Sequence, residues 1–100
     1  MPTDTDLNLL FALNALLSEG SVAKAAERLG LSESAMSRAL ARLRESTGDE
    51  LLVRAGRAMV LTPHALALRD RVRELVQESR AVLHPAGGAM DPSALRQLYT

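Results

Sequence analysis

The sequence has no cysteine and no tryptophan, and its only aromatic residues are Phe11 and Tyr99. Without cysteine, disulfides, thiolate metal ligands and cysteine nucleophiles are excluded. With so few aromatics beside abundant alanine and leucine, the composition favours helix over sheet. Long apolar runs are also missing: none approaches the ~20 residues that cross a bilayer, so no membrane segment is expected. The start MPTDTDLNLL has no basic lead-in and no small-residue cleavage site, so it does not read as a signal peptide. A cytoplasmic location fits these absences. Net charge is absent too, with 12 basic against 12 acidic residues. A length of 100 residues suits one small domain. Such a domain buries a modest core alone, and a partner subunit would add to it.

The charge that is present is unevenly placed. Residues 1–31 carry Asp4, Asp6, Glu19 and Glu27 against Lys24 and Arg28. Residues 32–62 carry Arg38, Arg42, Arg44, Arg54 and Arg57 against Glu33, Glu45, Asp49 and Glu50. Between 51 and 62 only arginines are charged. A local basic surface is expected there, with the acids on other faces.

Leu7, Leu10, Leu13, Leu16 and Leu17 recur at helical spacing and predict a first amphipathic helix, with Asp4 or Asp6 at its start and Gly20 at its end. Ser21 is an N-cap for a short second helix, Val22 to Leu29, whose Ala25 and Ala26 let a neighbouring helix approach closely. Gly30 ends it, Leu31 is expected to plug the core beneath the turn, and Ser32 caps a third helix from Glu33 to Thr47. Met36, Leu40 and Leu43 form that helix's buried stripe. Ser34, Arg38, Arg42 and Glu45 fall opposite, with Ser37 and Ala41 beside them. Two short apolar segments, LLVR and AMVL, flank Ala55-Gly56-Arg57 and predict a β-hairpin that must lean on the helices.

Thr62-Pro63 is a strong helix start. The helix runs to His84, about 33 Å at the standard rise. Leu61, Ala65, Leu68, Val72, Leu75, Ser79 and Val82 are spaced alternately by four and three residues, a heptad seam broken only by Ser79. Such a seam packs on its own domain or on a partner helix. Its position after a compact domain favours the partner, through Ala65, Leu68, Val72, Leu75, Val76, Ser79 and Val82. Ala86-Gly87-Gly88-Ala89 reads as a flexible linker.

The order is helix, turn, short helix, Gly-Leu-Ser turn, helix and hairpin. It defines a mainly α fold, a winged helix-turn-helix of three helices with a two-stranded hairpin wing, followed by a long dimerisation or linker helix. The expected divisions are 1–62, 63–84 and 85–100. A helix fits the major groove of B-DNA, where outward side chains meet base edges. Ser34, Ala35 and Ser37 are short enough for close approach. Arg38 and Arg42 reach guanine edges or phosphates. Ser21 and Ser32, with the helix N-termini they cap, can meet phosphate oxygens. Arg54 and Arg57 place charge on the wing. Each has a plainer reading: solvated surface for the arginines, including an Arg42–Glu45 pair, and simple caps for the serines.

The run Gly20 to Ser32 resembles the signature of the LysR-type transcriptional regulators. Ala35-Met36-Ser37-Arg38, Leu40, Leu43, Gly48, Leu51 to Arg54, Gly56-Arg57 and Leu61-Thr62-Pro63 continue the match, which covers roughly residues 5–84. The resemblance implies a bacterial regulator whose third helix reads double-stranded DNA, and a homodimer made by antiparallel pairing of the linker helices. It leaves a tetramer open for a longer protein. It also implies a small-molecule effector bound only through a further domain, towards which residues 90–99 would lead. Two departures stand out. Glu33-Ser34 replaces the usual Gln-Pro, so Glu33 would repel phosphate or accept from a cytosine amine. Leu52 replaces a usual phenylalanine.

No catalytic constellation, cofactor loop or metal cluster is expected. His64 and His84 are too far apart along one helix to share an ion. A non-enzymatic, sequence-specific DNA-binding regulator is the leading expectation. A winged-helix protein-interaction module that does not bind DNA is the alternative, supported by the zero net charge and Glu33.

Overall fold

The computed structural model describes residues 6–84. It contains helices α1 (Asn8–Glu19), α2 (Val22–Leu29) and α3 (Glu33–Thr47), strands β1 (Leu52–Ala55) and β2 (Ala58–Leu61), and helix α4 (Pro63–Leu83). The strands form one antiparallel hairpin, with Leu52 opposite Leu61 and Ala55 opposite Ala58. This is the expected winged helix-turn-helix with a long helix after it.

Local chemistry sets the helix ends. Ser21 Oγ accepts from the Lys24 N–H at 3.2 Å, Ser32 Oγ from Ala35 at 3.1 Å and Thr62 Oγ1 from Ala65 at 3.1 Å. Each is an N-cap satisfying a backbone donor that the first helical turn leaves unpaired. At the far end of α2, Gly30 is left-handed, with φ 68°. Its N–H bonds the Glu27 carbonyl and the Leu31 N–H bonds the Ala26 carbonyl, a Schellman closure. The Asp6 carboxylate accepts from the Asn8 N–H at 2.9 Å, so Asp6 serves the start of α1 although Leu7 holds the cap position. Asp4 lies outside the described residues.

The core gathers on α1, which packs against α2, α3 and α4. Leu16 and Leu17 of α1, Met36 of α3, Leu51 and Leu52 before and at the wing, and Val76 of α4 are its largest fully buried side chains. Ala25 and Ala26 are buried and bring α2 close, as their size requires.

Four expectations are corrected. Leu31 is 46% exposed, because the Schellman turn uses its backbone while its side chain leaves the core. Leu7 is 68% exposed, since it precedes the first turn of α1. The hairpin turn has two residues, Gly56 and Arg57, with Ala55 in β1 and Leu51 outside it. Gly56 supplies the positive φ that a tight primed turn requires.

The heptad seam divides between two surfaces. Ala65, Val72 and Val76 are buried in this chain's own core and Leu68 packs against it. Ala65, Val72 and Val76 are thus covered by α1 and its neighbours within the chain, while Leu68 keeps part of its surface exposed. Leu75 is 44% exposed, Val82 81% and Leu83 86%. Leu7, Leu10 and Phe11 join Leu75, Ser79 and Leu83 to line an apolar groove of about 380 Å³ between the start of α1 and the end of α4. The expected linker and continuation, 85–100, lie outside the described residues.

Candidate nucleic-acid interface

Burying Met36, Leu40 and Leu43 fixes the rotation of α3. The opposite face then points outward: Glu33, Ser34, Ser37, Arg38, Ala41, Arg42 and Glu45 are exposed, and Ala35 is half-buried. The stripe thus has small residues on the helix's first two turns and arginines along its middle. Ser32 is exposed and Ser21 half-buried, each with its hydroxyl oxygen engaged by a backbone N–H. A capping hydroxyl keeps its own proton free to donate to a phosphate oxygen. On the wing, Arg54 and Arg57 are both exposed.

The arginines differ in their partners. Arg42 lies 3.5 Å from the Asp6 carboxylate, not beside Glu45. An ion pair this exposed contributes little and is readily exchanged for a phosphate. Among the described residues, no carboxylate lies within ion-pair distance of Arg38, Arg54 or Arg57. Their charge is therefore available to an anionic partner, although the chain carries no net charge.

Two residues of structural weight were not singled out in the sequence. Arg44 donates through Nε to the Glu50 carbonyl at 2.8 Å and through a terminal nitrogen to the Leu52 carbonyl at 2.9 Å. It ties α3 to the root of the wing. Asp49 follows the left-handed Gly48. Its Oδ2 accepts from the Leu51 N–H at 2.8 Å and from the Thr62 hydroxyl at 2.5 Å. The spacing of Arg44 from Leu40 and Leu43 was a weak signal of its inward flank. An aspartate just past a helix end, able to turn back on nearby N–H groups, was the signal for Asp49.

The Thr62 hydroxyl, then the Leu51 N–H, hold the Asp49 carboxyl below the usual carboxylate range, and His64 adds a smaller pull against desolvation. A carboxyl lowered on folding stabilises the protein above its unfolded pKa, about 3.9. That stabilisation is lost as pH falls through the lower folded value. Thermal unfolding should therefore fall more steeply in wild type than in Asp49→Asn below about pH 4. Parallel acid limbs in the two proteins would contradict this assignment.

The family described as "Bacterial regulatory helix-turn-helix protein, lysR family" matches residues 7–66. The chain belongs to the LysR family. The match spans all the helix-turn-helix, the wing and the first turn of α4. Among LysR relatives, Nodulation protein D 1 of Neorhizobium galegae is 52% identical over 69 residues, covering 69% of this chain and 22% of that protein. The chain thus spans about a fifth of that relative's length. The crystal structure of probable transcriptional regulator PA0477 from Pseudomonas aeruginosa superposes with TM-score 0.74 at 39% identity, over 80% of this chain and 27% of that one. A crystal structure of a BenM DBD–catB site 1 DNA complex shares the fold, with TM-score 0.71 at 23% identity, over 96% of this chain and 98% of that one. The LysR assignment agrees with the resemblance read from Gly20 to Pro63.

Proposed function

We propose that this chain is the DNA-binding part of a LysR-type transcription regulator, a homodimer that reads a partly palindromic duplex with α3 in the major groove. One observation carries the reading: the stripe of Ser34, Ser37, Arg38, Ala41 and Arg42 is exposed on a helix whose opposite side is locked into the core. Short side chains let the helix backbone approach the groove, and Arg38 and Arg42 reach guanine edges or phosphates. Ser21, Ser32, Arg54 and Arg57 take backbone phosphates and fix the register. Ala35 contributes close packing rather than a polar contact. Glu33, at the first turn of α3, would repel phosphate or accept from a cytosine amine. The role is binding and not catalysis, and a duplex target places the chain in the bacterial cytoplasm.

Residues 1–62 form the DNA-binding unit and 63–84 the dimerising helix, with 85–100 leading onward. A small-molecule effector belongs to a domain beyond that segment, and higher assembly belongs to the longer protein. On this reading the dimer uses the part of the seam that the chain leaves exposed. Leu75, Ser79, Val82 and Leu83 of α4, with Leu7 beside them, offer apolar area that the chain itself leaves open. Leu75→Asp should weaken dimerisation by at least about tenfold, because a carboxylate would be desolvated at a two-fold seam. Sedimentation showing an unchanged dimer would remove this face from the interface.

Titration of the chain onto duplex DNA at two salt concentrations tests the main reading. Affinity should fall steeply with salt, because each neutralised phosphate releases counterions. Equal affinity for every sequence at low salt would reject specific readout.

A further inference from the structure

The two helices that this reading uses for separate tasks meet at one carboxylate. α3 packs on α2 and α1, and α4 packs on α1, rather than on each other. Their ends are joined by the wing, whose first and last residues lie side by side. At that junction the Thr47 hydroxyl donates to the Leu43 carbonyl at 2.8 Å, and the Asp49 N–H donates to Thr47 Oγ1 at 3.3 Å. Asp49 is thereby held to the end of α3. Its Oδ2 then receives both the Leu51 N–H and the Thr62 hydroxyl. Thr62 Oγ1 in turn accepts the Ala65 N–H as the cap of α4, and the Thr62 N–H donates to the Leu51 carbonyl at 3.0 Å.

Leu51 sits inside this knot with φ 67°, in the left-handed region that non-glycine residues seldom adopt. It is nevertheless fully buried. Its N–H and its carbonyl are both held, one by Asp49 and one by Thr62. The strained turn brings the chain from α3 into the wing while sending the leucine into the core, and Asp49 closes the turn against α4.

Leverage makes this junction consequential. α4 is about 32 Å long at 1.5 Å per residue, so a tilt of about 10° at its first turn moves its far end about 5 Å. That exceeds the 3.4 Å step of one base pair along a duplex. We infer that Asp49 is a positioning residue: added to the packing of both helices in the core, its bonds set the final angle between α3 and α4, and so the half-site spacing that the dimer accepts. The angle stands on this chain's own hydrogen bonds, whereas the spacing rests on the DNA-binding dimer proposed above.

The experiment has two readouts. Because the chain has no cysteine, Ser34→Cys with Gln77→Cys carries two spin labels only, and dilution with unlabelled protein isolates the distance within one chain. With Asp49 present, one narrow distance is expected. Asp49→Ala should broaden or shift it, while Asp49→Asn, whose amide oxygen can still accept, should largely keep it. Thr62→Val breaks the same link from the other side and should also broaden the distance, which keeps the test intact if Asp49→Ala does not fold. A folded Asp49→Ala or Thr62→Val protein with the narrow distance would overturn the inference.

On unlabelled proteins, affinity is measured for duplexes with half-sites at a series of spacings and for a duplex with one half-site. Asp49→Ala should lose about tenfold or more at the wild-type optimum, because two-site engagement depends on geometry. It should bind the single half-site as wild type does. Equal loss on both, or an unaltered spacing profile, would overturn the spacing role. Failure of wild type to bind any duplex would instead reject the DNA-binding reading, with the spin-label distance still deciding the joint.

Discussion

Replacing Arg38 and Arg42 together by alanine should cost about 2–6 kcal/mol of affinity for a preferred duplex, taking 1–3 kcal/mol for each arginine contact. Both side chains are exposed on α3, on the face opposite Met36, Leu40 and Leu43. The two arginines should not contribute alike. Arg38 has no carboxylate within ion-pair distance among the described residues, so a contact with DNA would cost it no partner. Arg42 must leave Asp6, but that pair is exposed and its loss costs little. Asp6→Asn should therefore leave binding unchanged or slightly stronger. If an arginine reads a base, its alanine variant relaxes the preference at one position of each half-site. If it contacts phosphate, binding weakens on all sequences and the salt slope falls by about one per contact. Affinity measured across a salt series on preferred and scrambled duplexes separates the two. An unchanged affinity for the double variant would favour the protein-interaction alternative.

Met36→Ala should destabilise the fold by about 2–5 kcal/mol, the range for emptying a buried methionine site. Met36 is fully buried, at 0% exposure, and is the only long apolar side chain on the N-terminal half of α3 that reaches the core. Small domains hold roughly 5–15 kcal/mol in all, so this one change removes a large share. Urea unfolding should show a lower midpoint with little change in slope. DNA binding should weaken too, since α3 would lose the anchor that sets its rotation. Ser37→Ala, one residue further and exposed, should leave the midpoint within about 0.5 kcal/mol of wild type. A Met36→Ala protein as stable as wild type would mean that α3 is held by contacts other than this one.

Much of this was legible because it is local. Ser21, Ser32 and Thr62 cap helices through N–H groups three residues away, and Gly20, Gly30 and Gly48 end helices through their own φ. The spacing of Met36, Leu40 and Leu43 fixed which side of α3 faces outward. What failed depends on the third dimension. The four-three spacing in α4 identifies an apolar stripe but not what covers it. In the structure, α1 and its neighbours take Ala65, Leu68, Val72 and Val76, leaving Leu75, Val82 and Leu83 at the surface. Leu31 is apolar and beside the turn, yet only the closed Schellman geometry shows that its side chain leaves the core. The Asp49–Thr62 bond joins residues 13 apart, and no periodicity announces it. In the sequence Arg44 is only one of five arginines between 32 and 62, and its contacts with Glu50 and Leu52 assign it to the root of the wing.

Selection of bound sites from a pool of random duplexes, run with wild type and with Arg38→Ala, tests the exposed face of α3 most directly. Wild type should enrich a two-fold related pair of half-sites, and the variant should lose preference at a defined position in each half or lose enrichment altogether. A wild-type pool indistinguishable from the input at low salt would contradict the assignment of this helix to sequence readout.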